Sequence, residues 1–269
     1  MSSLLHPELR SPLPYHRSAS NETVEFRIHP GRVAVTLVAI SVLFTALGLS
    51  GQALQDHLMP LGAILRVLFD VGREGNVSTF YSALLLATSA VLLYVIHVSS
   101  THSKDKYRFH WLGLAIVFAY LAVDEAARLH ELPSDMLREY LMSLDTEVAD
   151  VFVPTPWVLP AGLALLVVGV LYLPFLFALP RRSAWLFVAA GSIYISGAVL
   201  FEMWAWHYLF QMAGLNYVEH LSDAKYVLLT AVEEFLEMAG VILFIYALLS
   251  HIAREMTVAR ISFARELHT

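Results

Sequence analysis

The 269-residue chain contains no cysteine. This excludes disulfides, thiolate metal sites, iron–sulfur clusters and cysteine nucleophiles, and leaves the redox compartment open. Charge is also scarce. Asp, Glu, Lys and Arg make up 15% of the residues, against about a quarter in an average soluble domain. The balance is acidic, with a net charge of -6, so the basic face that nucleic-acid binding requires is missing. The sequence has no nucleophile elbow, no phosphate-binding loop, no low-complexity tract and no repeat of about 20–50 residues. Covalent catalysis therefore has no specific support.

Apolar surface takes the place of charge. Hydrophobic residues make up 58% of the chain and the mean hydropathy is +0.63. A bilayer core of roughly 30 Å needs about 20 consecutive apolar residues per crossing. Six stretches qualify: Val33–Ala53, Thr79–Ser99, Trp111–His130, Trp157–Leu179, Ala184–Trp206 and Tyr226–Ser250. None shows the alternation of a barrel strand. The expected fold is an all-α, polytopic membrane helix bundle of six transmembrane helices. A polar N-terminal arm (1–32) precedes the transmembrane domain (33–250), and a basic tail (251–269) follows it. The arm lacks an apolar core of signal-peptide length, so the first span is expected to be an uncleaved anchor.

Lysine and arginine set the expected orientation. Arg10, Arg17, Arg27, Arg32, Lys104, Lys106, Arg108, Arg181, Arg182, Arg254, Arg260 and Arg265 fall on one side. Only Arg66, Arg73, Arg128, Arg138 and Lys225 fall on the other. Both termini are therefore expected in the cytoplasm. Trp111, Trp157, Trp185, Trp204 and Trp206 lie at span ends, the headgroup level that an indole prefers.

Two outer loops carry apolar residues at helical spacing. Residues 54–70 have Leu58, Leu61, Leu65, Leu68 and Phe69, with Pro60 limiting the start. Residues 134–145 have Met136, Leu137, Tyr140, Leu141 and Leu144. Short amphipathic helices lying in the interface, together forming a lid, are expected there. Pro160 and Pro174 are expected to bend the fourth span, and Ser192 and Ser196 to pack the fifth closely.

The informative residues are acids that hydropathy alone would forbid. The third span ends in Asp124, Glu125, Arg128, His130 and Glu131; the fifth holds Glu202; the sixth holds Glu233, Glu234 and Glu237. Left unpartnered, these seven acids would cost on the order of 10–20 kcal/mol. They must be paired, protonated, hydrated or bound to a cation. At about 1.5 Å per residue, all three helices deliver them to the outer half of the membrane. Asp124, Arg128 and Glu131 share a face at i, i+4, i+7, while Glu233 and Glu237 share another at i, i+4.

A divalent cation with oxygen ligands would neutralise such a group, and His130 or His207 would shift the preference from calcium or magnesium toward manganese, iron or zinc. The expected metal site is therefore Asp124, Glu125, His130, Glu131, Glu202, Glu233, Glu234 and Glu237. Metal-assisted hydrolysis of a lipid or small substrate and ion or proton transport both remain open, as does an accessory or scaffold subunit with a structural ion-pair network. In the loop before the second span, Asp70, Glu74 and Asn76 weakly match a calcium loop, and they lie on the same side as the acids. Haem is disfavoured because no span carries a mid-membrane histidine. Membrane lipids and partner membrane subunits are the expected partners.

The segments FDVGREGN (69–76), DEAARLHE (124–131) and EEFLEMAG (233–240), with the lone Glu202, resemble a group of uncharacterised bacterial multi-pass membrane proteins. The likeness covers residues 69–248. In that group the first motif often carries a further acid where this chain has Gly72 or Arg73. The resemblance implies a bacterial origin and hence the cytoplasmic membrane, but no chemistry.

Overall fold

A computed structural model describes residues 29–54, 60–70, 72, 75–131, 134–144, 146, 151–213 and 219–255, all within one compact unit. Most of the arm (1–32) and tail (251–269) lies outside them, as do Arg73 and Glu74 of the first outer loop and the side chain of Glu131. The secondary structure of the described residues is helical throughout. In chain order the helices are α1 (Pro30–Leu54), α2 (Leu61–Phe69), α3 (Val77–His102), α4 (Arg108–Ala127), α5 (Ser134–Ser143), α6 (Val158–Ala178), α7 (Arg181–Ile195), α8 (Glu202–Ala213) and α9 (Ala224–Glu255). A π-helical segment, Ser196–Phe201, joins α7 to α8 in one continuous run.

Six of these runs are long and apolar enough to cross a membrane: α1, α3, α4, α6, α7 through α8, and α9. Their outward surfaces agree with their composition. Phe80, Leu84, Val91, Leu163, Leu166, Val170, Leu171 and Phe177 are all exposed. Such apolar surface suits lipid and would be a liability in water. The protein is a multi-pass membrane helix bundle.

α9 is its centre. More than half of its most apolar stretch (56%) is buried, against 6% for α6 and 11% for α1 and α4. α1, α3 and α7 all pack against it. Met238, Val241, Ile242 and Ile245 of α9 meet Leu85 and Leu86 of α3. Phe244 stacks on Phe118 at 4.6 Å and meets Phe187 edge-on at 4.8 Å. Between membrane helices, where lipid tails are as apolar as the side chains, close packing rather than water exclusion drives association. Two glycines provide it. A Cβ on Gly240 would lie 2.6 Å from the Tyr194 backbone nitrogen, and one on Gly197 would lie 2.6 Å from the Glu233 carbonyl oxygen. The fifth and sixth spans therefore touch backbone to backbone. Of the two serines expected to pack there, Ser192 is exposed, while Ser196, next to Gly197, is half-buried.

α2 also departs from expectation. It does not lie flat at the interface but folds back along α1. A Cβ on Gly51 would meet Leu65 and the Arg66 nitrogen at 2.6–2.9 Å, and one on Gly48 would meet the Phe69 carbonyl. This antiparallel pairing brings Asp70 to the level of Gly48, roughly 9 Å back from the end of α1. α5 is the amphipathic helix expected over 134–145. Its Leu137 and Leu141 pack with Phe152 and Val153 against Phe210 near the end of α8.

The tryptophans divide between lipid and core. Trp185 and Trp204 are exposed, as headgroup anchors should be, whereas Trp111 is buried against Phe175 at 4.8 Å. An indole at a span end can face either way, and Phe175 of α6 supplies the packing partner here.

The helix ends explain two local features. α3 closes with Lys104 at φ 56°, the Asp105 nitrogen donating to the Ser100 carbonyl and the Lys104 nitrogen to that of Thr101. This is a Schellman cap with a non-glycine residue in the left-handed region. Lys104→Gly is expected to stabilise the protein by roughly 1 kcal/mol by removing Cβ strain, read as a raised melting temperature in detergent.

α9 begins at Asp223, whose Oδ1 accepts from the backbone nitrogens of Lys225 (2.9 Å) and Tyr226 (3.1 Å) and from the Tyr208 hydroxyl (3.2 Å). The Tyr226 amide and the other donors hold this carboxyl below its ordinary value. A group depressed in this way stabilises the fold at neutral pH and loses that contribution as pH falls below about 4. Asp223→Ala should cost about 1 kcal/mol at neutral pH, and the gap to wild type should close in acid melts.

Candidate functional site

The acids converge at the end of the bundle where α4 finishes and α9 starts. At its fourth-last residue α4 presents Asp124, but the helix stops at Ala127. Arg128 takes a left-handed conformation (φ 57°, ψ 41°) and Leu129–Glu131 form a 3-10 turn. The face expected for Asp124, Arg128 and Glu131 is therefore broken. The Asp124 carboxylate turns to His130 instead, with Oδ1 accepting from its backbone nitrogen at 2.8 Å and Oδ2 facing Nδ1 at 3.1 Å. Two contacts to one residue fix the ring and its tautomer, with Nδ1 carrying the proton. Nε2 has no hydrogen-bond partner among the described residues, and the imidazole stays partly exposed.

Trp157 links this corner to the fifth span. Its ring lies 5.3 Å from that of His130, and Nε1 donates to Glu202 Oε1 at 3.0 Å. Trp157 precedes the first residue of α6, so the bond brings Glu202 to the level where α6 begins. α8 continues beyond that level for about 16 Å. The π segment immediately before Glu202 adds a wider turn to the helix. Such bulges re-aim the residues that follow them and recur at functional sites. Gly197 within the segment lies against Glu233 and Glu237, which lets the two acid-bearing helices approach so closely.

Glu233 is 9% exposed and lies within electrostatic range of Glu202 and Glu234. Glu237, one turn deeper, senses Glu234, Glu125, Glu233 and Glu202. Tyr194 stands among Glu237, Glu125, Asp124 and Glu234; Tyr226 stands among Glu233, Glu202 and Asp70. The charged groups around Glu233 and Glu237 are thus all carboxylates among the described residues. Six of the seven expected acids belong to this one electrostatic cluster.

Asp70 joins them through the re-entrant α2. Its Oδ2 meets Arg66 Nε at 3.3 Å and its Oδ1 accepts from the Gly72 nitrogen at 3.2 Å. Gly72 packs on Thr230 of α9, where a Cβ would approach the Thr230 methyl to 3.1 Å. Asn76 caps α3 by accepting from the Thr79 nitrogen, and its side chain donates to the Asp70 carbonyl at 2.6 Å. Asn76 is thus a structural cap.

Among the described residues, no three His, Asp or Glu side chains come together as a metal-binding group. Trp157, Tyr194, Tyr226 and the π segment were not anticipated as site components. A tryptophan at a span end reads as an anchor, and a π bulge leaves hydropathy unchanged. Asp70 was anticipated by its position alone.

These features define a class, a six-span helix bundle with a buried carboxylate cluster in one half of its membrane domain. The chain belongs to the family defined by the domain of unknown function DUF8692, whose family model matches residues 33–252. Comparison with curated proteins and with solved structures gave no match.

Asp124→Ala should release the 3-10 turn, costing roughly 1.5–3 kcal/mol for the lost charged hydrogen bonds. Hydrogen exchange at Leu129–Glu131 is expected to rise by an order of magnitude or more. Unchanged exchange would show that the clamp does not hold the turn.

Proposed function

We propose that this protein binds neutralising cations, protons first, in its carboxylate cluster, and that the cluster faces the periplasmic half of a bacterial cytoplasmic membrane. Arg and Lys counts support that orientation, with both termini in the cytoplasm. The observation that carries the reading is the environment of Glu233 and Glu237, whose charged neighbours among the described residues are other acids. Like charges at short range in a medium of low dielectric require a counter-charge. A proton needs one oxygen, whereas a divalent metal needs several ligands at coordination distance. The spacing of the described side chains favours the proton.

His130 is the group suited to pass protons at the rim. Asp124 orients it, Nε2 is open, and it is partly exposed. Glu125, Glu237 and Glu233 would carry the charge inward, and Trp157 holds Glu202 in place. Such a site serves ion-coupled transport or acid–base chemistry on a lipid or small substrate.

Infrared difference spectroscopy of the full-length protein in liposomes tests the proposal. A protonated-carboxyl band is expected in wild type at neutral pH and should weaken in Glu233→Gln and Glu237→Gln. Calcium, magnesium, manganese, iron or zinc should leave the band and the melting temperature unchanged. Absence of the band, with bound metal and a fall in melting temperature on chelation, would replace the proton with a divalent metal. Absence of both band and metal would reduce the cluster to a structural network in an accessory or scaffold subunit.

A further inference from the structure

The basic end of the bundle, opposite the acid cluster, carries a cavity of about 280 Å3 between the start of α1 and the last turns of α9. Pro30 and Gly31 wall it on one side. Tyr246, Ser250, Ala253 and Arg254 wall it on the other, at the i, i+4, i+7, i+8 spacing of a single helical face. Gly31 keeps it open, since among the described residues a Cβ there would meet nothing within 4 Å. The Tyr246 hydroxyl is the centre of the polar contacts. It accepts from Arg182 Nη2 of α7 at 3.1 Å, shares a hydrogen bond with Ser250, and lies within electrostatic range of Arg254.

The charge here has one sign. Neither guanidinium forms an ion pair among the described residues. The acids described at this end, Asp105 and Glu255, line a separate cavity with His251, and Glu255 is turned from Arg254 by roughly 100° around α9. Two guanidinium groups drawn around one hydroxyl, with no carboxylate in the lining, call for an anion. Their planar forks match the oxygens of a phosphate. Depth points to the same ligand. Trp185, one turn after Arg182, is exposed as a headgroup anchor is, which puts Arg182 at the level of lipid phosphates. Val35, Val38 and Val42 continue the face of Gly31 along α1 at i+4, i+7 and i+11, and all three are exposed. An acyl chain finds an apolar track leading from the cavity, which a free phosphate does not use.

We propose that this cavity binds the phosphate of an anionic phospholipid, whose acyl chain runs along residues 31–42 of α1. Arg182 and Arg254 take the phosphate oxygens, and Tyr246 holds Arg182 over the cavity. A zwitterionic lipid brings an ammonium group that the acid-free lining does not accept. The inference does not depend on the function proposed for the acid cluster.

Native mass spectrometry of the full-length protein tests it, with phosphatidylglycerol, phosphatidylcholine and inorganic phosphate as probes. Wild type should retain phosphatidylglycerol over phosphatidylcholine by about tenfold, and Arg182→Gln/Arg254→Gln should abolish the preference. Lys106→Gln/Arg181→Gln removes the same charge from the same end but outside this cavity, and should leave the preference intact. Tyr246→Phe removes only the hydroxyl and should weaken the preference several-fold, which keeps the test open if the first double variant does not fold. Inorganic phosphate in millimolar excess should leave lipid retention unchanged. Saturable phosphate binding that displaces the lipid would assign the cavity to free phosphate and overturn the lipid reading. Equal retention of the two lipids, equal losses in the two double variants, or an unaltered preference in folded Arg182→Gln/Arg254→Gln would overturn the proposal altogether.

Discussion

A carboxylate inside hydrocarbon has no water to stabilise it, and the acidic half of this bundle is organised around that constraint. Asp124 is taken up by His130, Glu202 receives the Trp157 indole, and Asp70 is paired with Arg66 and the Gly72 amide. Each of these acids has a directional partner, local in sequence for Asp124 and Asp70 and from another span for Glu202. Glu233 and Glu237 sit where the fifth and sixth spans touch, among other acids. This uneven distribution separates the acids that are held by a donor from those that sit among like charges.

Backbone approach makes the arrangement possible. Gly197 and Gly240 remove the side chains that would hold the fifth and sixth spans apart, and the π segment turns Glu202 toward Trp157. Gly48 and Gly51 do the same for α1 and α2, which lets a nine-residue helix re-enter the bundle and bring Asp70 inward. The opposite end is built differently, from aromatic rings and span-end polar groups around an open cavity. Met238, Val241, Ile242, Phe244, Ile245 and Leu248 lie between the two ends on α9, so buried apolar side chains separate the two polar regions.

The spans were legible because hydropathy accumulates along a segment regardless of its neighbours. All six were located to within a few residues, except that the fifth continues to Ala213, well beyond Trp206. The membership of the acid cluster was largely legible too, because a charge in an apolar run stands out against its surroundings. Errors arose wherever the answer depended on a partner. Trp111 was expected at the headgroups, but Phe175 and His251 draw it into the core. Arg128 was expected on a continuous helical face, but Asp124 binds the chain two residues further on and ends that face. Ser192 was expected at the fifth-span contact but is exposed, and Gly197 makes the backbone approach there.

The sequence by itself determined that the chain crosses the membrane six times and carries acids into one half of it. Each apolar helix satisfies its own backbone hydrogen bonds, so its existence and length need no tertiary information. Which acids meet, which acquire a donor and which are left among like charges was decided only by the tertiary structure. The rotation of a helix about its axis is set by the neighbour it touches, and here that neighbour is approached at glycine-sized distances.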